Sequence, residues 1–110
     1  MADEKSGTLK IINQFLQELQ RHLFVKRIIL FGSYAKSQQD KWSDIDLAVI
    51  SDGFKDVPYL DRLVILGKFA WQAKTTVIEA LGFTEEEYNH ASKLDFLSEI
   101  KKSGVIVYER

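Results

Sequence analysis

Arg27-Ile28-Ile29-Leu30-Phe31-Gly32-Ser33 and, after a polar interval, Ser43-Asp44-Ile45-Asp46-Leu47-Ala48-Val49-Ile50 are the stretches whose reading decides the fold of this 110-residue chain. The first is a short, mostly apolar run that stops at Gly32, the pattern of a strand buried on both faces. The second opens with polar–apolar alternation and is stopped by Ser51-Asp52-Gly53, so it reads as a strand over 44–50. Between them, Ser33-Tyr34-Ala35-Lys36-Ser37 predicts a short helix, and Gln38 to Ser43 a polar loop.

Working outward, Leu9, Ile12, Leu16, Leu19 and Leu23 recur at three- and four-residue steps and predict an amphipathic helix over about 8–23. Thr8 is its expected cap, and the polar residues 1–7 are expected to be frayed. Downstream, Pro58 suits the start of a helix, where its missing N–H is harmless. Leu60, Leu63, Val64, Gly67, Ala70 and Trp71 mark the core stripe of a helix over 58–74. Ile65, Leu66 and Phe69 widen that stripe beyond one core face. Either this helix is buried more deeply than the others, or it forms a homodimer or hetero-oligomer interface.

Thr75 to Leu81 reads as a third strand. Thr84-Glu85-Glu86-Glu87 is a capping-box pattern that opens a helix running, with or without a break, to about Lys102. Gly104 stops it. Val105-Ile106-Val107-Tyr108 is a last short strand or an extended tail. The order predicts a single α/β (α+β) domain over 1–110: a small mixed sheet of three to four strands with helices packed on it.

Composition narrows the function. A hydrophobic fraction of 45% supports one core at this length. Cysteine is absent, which rules out disulfides and thiolate metal sites and fits a reducing cytoplasm. Met1 to Gly7 has no apolar signal-peptide core, and no apolar run is long enough to span a membrane. Fifteen Lys and Arg against sixteen Asp and Glu give a net charge of −1. Proteins that grip long nucleic acid by its phosphates usually carry a basic excess, so free nucleotides or proteins are the expected substrates.

Three features carry the chemistry. Gly32-Ser33 lies where a buried strand turns; glycine allows close backbone approach, and unsatisfied N–H groups at a helix start favour phosphate. The plain alternative is an ordinary turn with Ser33 as a cap. Asp44 and Asp46, at i and i+2 of a strand, share one face and repel unless a cation lies between them. Mg²⁺ is commonly held by one or two carboxylates plus substrate phosphates; the alternative is a solvated strand start. Glu79 interrupts the apolar run Val77-Ile78-Glu79-Ala80-Leu81. It either completes a three-carboxylate cluster or sits at an exposed edge.

Taken together, Leu30-Phe31-Gly32-Ser33-Tyr34-Ala35-Lys36 followed by Ser43-Asp44-Ile45-Asp46-Leu47-Ala48-Val49 resembles the signature of the minimal nucleotidyltransferases, in the DNA polymerase β-like superfamily. The resemblance covers nearly the whole chain and implies a polymerase β palm-like fold. It implies that Gly32 and Ser33 bind the triphosphate, and that Ser43 assists phosphate or metal positioning. Asp44 and Asp46 would coordinate two Mg²⁺ ions, or Mn²⁺. Glu79 falls where the family has its third carboxylate, commonly Asp, and Ser37 stands where the family usually has Gly. The implied reaction moves a nucleoside monophosphate, AMP from ATP, to a hydroxyl with release of pyrophosphate.

In this family such short proteins are often antitoxins paired with a HEPN-domain toxin, which implies a protein partner and a cytoplasmic site. Two other readings stand beside it: a docking module that neutralises its partner without turnover, and a stand-alone transferase acting on a small molecule. His22 and His90 read as helix residues without metal-ligand spacing. Trp42 reads as cover for the core edge or as a base-stacking ring, and Lys36 and Lys41 as solvated or phosphate-neutralising.

Overall fold

The structure, a computed structural model, describes residues 2–35, 44–91 and 95–110, of which 2–6 by backbone alone. Its elements are α1 (Ala2–Gln20), β1 (Arg27–Phe31), β2 (Ile45–Ile50), α2 (Tyr59–Gln72), β3 (Ile78–Phe83), α3 (Glu85–Asn89), α4 (Phe96–Ser103) and β4 (Val105–Glu109). The four strands form one mixed sheet in the order β3-β2-β1-β4. β1 runs antiparallel to β2 and β4, while β2 and β3 are parallel, joined through α2. A mixed sheet with packed helices is therefore confirmed.

Alternation along the strands splits the apolar residues between two layers. Ile45, Leu47 and Val49 of β2 and Ile28 of β1 face one side, against Ile12, Phe15, Leu16 and Leu19 of α1 and Leu66 and Ala70 of α2. Ile29, Ala48 and Ile50 face the other side, against Leu97 and Ile100 of α4. The second layer is smaller and leaves the β2 N-terminal end of its face uncapped by α4.

Several boundaries differ from the sequence expectations. α1 begins at Ala2, so Thr8 lies inside the helix rather than capping it. Ala2, Glu4 and Lys5 are strong helix formers and extend the helix through the segment expected to fray. β3 starts at Ile78, not Thr75, because the Thr75 N–H and Oγ1 both bond to the Ala70 carbonyl and close the end of α2. The capping box at Thr84 and Glu87 is present, but α3 ends at Asn89 and a separate helix follows. Gly104 stops α4 with extended backbone, not a left-handed turn. Glycine is needed there because a Cβ would press on the Ile100 carbonyl and the Ile29 side chain.

The register of α2 also needs correction. Its buried stripe is Arg62, Leu66 and Ala70, whereas Leu60, Val64 and Trp71 are 71%, 72% and 73% exposed. Deeper burial thus does not account for these three. Arg62 is only 6% exposed, yet each of its three guanidinium nitrogens donates a hydrogen bond. Nε donates to the Val57 carbonyl at 2.8 Å, and Nη1 to the Gly82 carbonyl at 3.2 Å. Nη1 and Nη2 also clasp the Glu87 carboxylate at 2.6 and 3.2 Å. A charge can be buried when it is paired and hydrogen-bonded in this way. One side chain thereby ties α2 to β3 and α3.

Glu87 counters its own partial burial through hydrogen bonds from Arg62 and from the Thr84 backbone, which together hold its carboxyl below the ordinary glutamate range. A depressed folded value means stability that is present above the unfolded glutamate range and lost as pH falls through the folded one. Glu87→Gln, which leaves the Arg62 charge buried without its counter-ion, is expected to lower unfolding free energy at pH 7 by roughly 1–3 kcal/mol. Urea denaturation at pH 7 and in acid checks this: the gap between wild type and variant should shrink as pH falls below the glutamate range.

Candidate functional site

Phe31, Asp46 and Glu79 form a row across three strands, because Phe31 pairs with Asp46 and Asp46 with Glu79. All three project from the face that α4 only partly covers. Asp44 lies two residues before Asp46 and so belongs to the same face. The backbone thus places three carboxylates, Asp44, Asp46 and Glu79, at one end of the sheet.

Their proximity shows in their titration. Burial chiefly, then the charge of Asp44, pushes the Asp46 carboxyl above the ordinary aspartate range. Glu79 is raised by desolvation first, then by the Asp46 charge, a hydrogen bond with Asp44 and the Asp44 charge. Glu79 is exposed on the edge strand β3, beside Asp46 in register.

Gly32 closes the other side of Asp46. Its φ is +73°, in the left-handed region, and a Cβ there would run into the Asp46 carboxylate. Only glycine meets both demands. The turn and the metal-type pair read separately in the sequence are thus one packed unit. Residues 32–35 are a turn and not the start of the expected short helix. The amides of this turn, rather than a helix N-terminus, are therefore the backbone groups available to an anion. Ser33 lies in the turn and is half-buried. Ser43, Ser37, Lys36, Lys41 and Trp42 lie outside the described residues.

Among the described residues, no three ligating side chains close around a single point. The three carboxylates instead form an open acidic corner. This suits a divalent cation that takes its remaining ligands from phosphate and water. Like charge adds to burial at both groups, Asp44 acting on Asp46 and Asp46 with Asp44 acting on Glu79, and a cation there would relieve it.

Sequence reasoning missed the aromatic neighbours. Phe31 stands beside Asp46, and its ring meets Phe96 of α4 edge-on at 5.7 Å. Beyond Phe96 opens a cavity of about 580 Å³ lined by Tyr59, Phe83, Glu86, Glu87, His90, Asp95, Phe96 and Leu97. No local pattern marks Phe96; only the docking of α4 on the sheet brings it there. His22 packs its ring on Phe69 at 4.5 Å and bonds Glu18, in line with a helix-end residue. His90 ends α3, with Nδ1 at 2.8 Å from the Glu86 carbonyl.

A mixed α/β sheet with clustered carboxylates beside a glycine turn is the arrangement of a phosphoryl-transfer site. The chain belongs to the nucleotidyltransferase domain family, which matches residues 9–110. It is thus an enzyme of nucleotidyl transfer. A Methanocaldococcus jannaschii protein named as a protein adenylyltransferase is 31% identical, over 90% of this chain and 96% of that protein. The fold matches a nucleotidyltransferase structure from Sulfolobus solfataricus with a TM-score of 0.73, at 19% identity, over 99% of this chain and 86% of that one. It also matches a chain in a toxin–antitoxin structure with AMP-PNP, with a TM-score of 0.62 at 21% identity, over 89% and 73% of the two chains.

Two outcomes follow from the packing at Asp46. Gly32→Ala is expected to leave a folded protein, destabilised by roughly 1–2 kcal/mol for the left-handed backbone, with Asp46 displaced. Calorimetric titration with Mg²⁺ and ATP should show binding weakened about tenfold or more, on the scale of a lost charge-assisted contact. Asp44→Asn removes a charge that raises both neighbours, so the carboxyl pKa values of Asp46 and Glu79 should fall toward their ordinary ranges. Carbon-detected NMR titration of the metal-free protein reads this directly.

Proposed function

We propose that this protein is a divalent-metal-dependent adenylyltransferase that moves AMP from ATP to a hydroxyl on a partner protein. The observation that supports it most is the Gly32–Asp46 contact, which joins a phosphate-type turn to a carboxylate cluster in one unit. In this reading Gly32 and Ser33, helped by Ser43, hold the triphosphate. Asp44 and Asp46, with Glu79, hold two Mg²⁺ ions, or Mn²⁺. When bound, these ions neutralise phosphate charge and lower the barrier to in-line displacement.

The chain's own contribution is positioning. The Gly32 turn brings backbone amides beside Asp46, so the phosphates and the carboxylates meet at fixed geometry. Glu79 stands next to Asp46 with its carboxyl raised, as suits a group that accepts the proton of the attacking hydroxyl. Phe31 walls the site on the β1 side and limits water there.

The acceptor is proposed to be a HEPN-domain toxin, with this chain as its cytoplasmic antitoxin. The name of the Methanocaldococcus relative and the toxin–antitoxin setting of one structural neighbour favour it. Leu60, Val64 and Trp71, with Gly67 facing open space between them, form an exposed apolar line along α2. Such a line suits a protein partner. It also supports a second reading, in which docking alone neutralises the partner. No helix among the described residues is long and apolar enough to cross a membrane.

Incubation with labelled ATP, Mg²⁺ and the product of the neighbouring gene separates the two. Label should pass to the partner and fall by about 10²-fold or more in Asp46→Asn, the scale of losing charge compensation at a transition state. Equal neutralisation of the partner by wild type and Asp46→Asn, without label transfer, would establish the docking module instead.

A further inference from the structure

The cavity beside Phe96 has no part in the phosphate and metal chemistry above, yet it opens on the same sheet face. We infer that it seats the nucleobase of the substrate and selects a purine bearing an exocyclic amine. The inference rests on the nucleotide-site reading and extends it to the base.

Position comes first. Glu79 and Phe83 lie four residues apart on one face of β3, about 13 Å at the rise of a strand. Glu79 marks the carboxylate end and Phe83 the cavity. Phe31 and Phe96, in ring contact at 5.7 Å, bridge the interval. A nucleotide whose α-phosphate lies at Asp46 has its ribose over this bridge and its base in the cavity.

Shape comes second. Three aromatic rings line the space: Tyr59 and Phe83, 5.9 Å apart, and Phe96. Phe96 is 60% exposed although it is a large apolar side chain at the first turn of α4. An exposed ring over a cavity of about 580 Å³ is a stacking surface for a flat heterocycle.

Polarity decides which heterocycle. Among the described residues, the polar side chains at the rim are hydrogen-bond acceptors, apart from the two-way Tyr59 hydroxyl, and no described Lys or Arg lines the cavity. Glu86 is exposed and has no side-chain partner among the described residues. His90 faces the Glu86 carbonyl through Nδ1, and a carbonyl can only accept. Nδ1 therefore carries the proton, and Nε2 of the neutral ring is an acceptor. An amine at purine position 6 donates to such a rim, whereas a 6-oxo group meets it acceptor to acceptor. The acidic rim also keeps the triphosphate out of the cavity and so fixes which end of the nucleotide enters.

Binding of ATP, ITP and inorganic tripolyphosphate, each with Mg²⁺, is measured by calorimetry on wild type, Phe96→Ala and Glu86→Gln. Wild type should bind ATP roughly tenfold more tightly than ITP, the scale of one hydrogen bond to a charged acceptor. Phe96→Ala should weaken ATP about tenfold and leave tripolyphosphate unchanged. Glu86→Gln should narrow the ATP-to-ITP ratio, because a Gln amide can donate to a 6-oxo group. If all three ligands bind but ATP and ITP bind equally, or Phe96→Ala weakens ATP no more than tripolyphosphate, the base pocket is overturned and the phosphate site stands. If neither ATP nor tripolyphosphate binds, the nucleotide-site reading itself falls.

Discussion

Asp46 and Glu79 are set side by side by a ladder of backbone hydrogen bonds, not by any attraction between them. Left to their charges, the two carboxylates would separate. The parallel register of β2 and β3 holds them together, and burial first, then neighbouring carboxylate charge (Asp44 at Asp46, Asp46 and Asp44 at Glu79), raises proton affinity at both. That register depends in turn on α2, the connection that carries the chain from one strand to the other. Arg62 fixes the connection through its bonds to Gly82 on β3 and Glu87 on α3. A buried arginine far from the carboxylates thus supports the geometry on which they depend.

Glycine serves the site by absence. At Gly32 the missing side chain leaves room for the Asp46 carboxylate, and the positive φ turns the chain away from β1. At Gly82 the space is filled from the other face of the sheet, where a Cβ would press on Phe54 and Leu66. Gly32 thus keeps the end of β1 close to β2, and Gly82 keeps β3 close to Phe54 and to α2. They show how a four-stranded sheet can carry a polar site on one face and a dense core on the other.

The strands β1 and β2, the carboxylate pair and the Gly32 turn were legible in the sequence because each rests on local pattern: an apolar run, an alternation, a stop. Glu79 was legible as an anomaly in an apolar run, and its alignment with Asp46 came only from the parallel register. The buried face of α2 was not legible. The helix is apolar nearly all round, and its true stripe includes an arginine that any hydropathy rule places outside. Its charge is satisfied by Glu87, twenty-five residues later, which no local window contains. Phe96 was hidden for a similar reason, since its position depends on how α4 docks across the sheet. The start of α1 was misjudged because polar composition was read as fraying in a segment rich in helix formers.

Glu79 belongs to an edge strand, while Asp46 belongs to central β2 and Gly32 follows directly on central β1. Edge strands open by local unfolding at lower free energy than the strands they flank. The third carboxylate can therefore leave and return while the turn and the aspartate pair stay locked. If Glu79 serves the site as proposed, the molecule has two thresholds of order, one for being folded and a stricter one for being assembled as an enzyme. Whatever stiffens β3, whether nucleotide or partner, would favour the assembled state and, by binding only the folded chain, would add to folding stability as well.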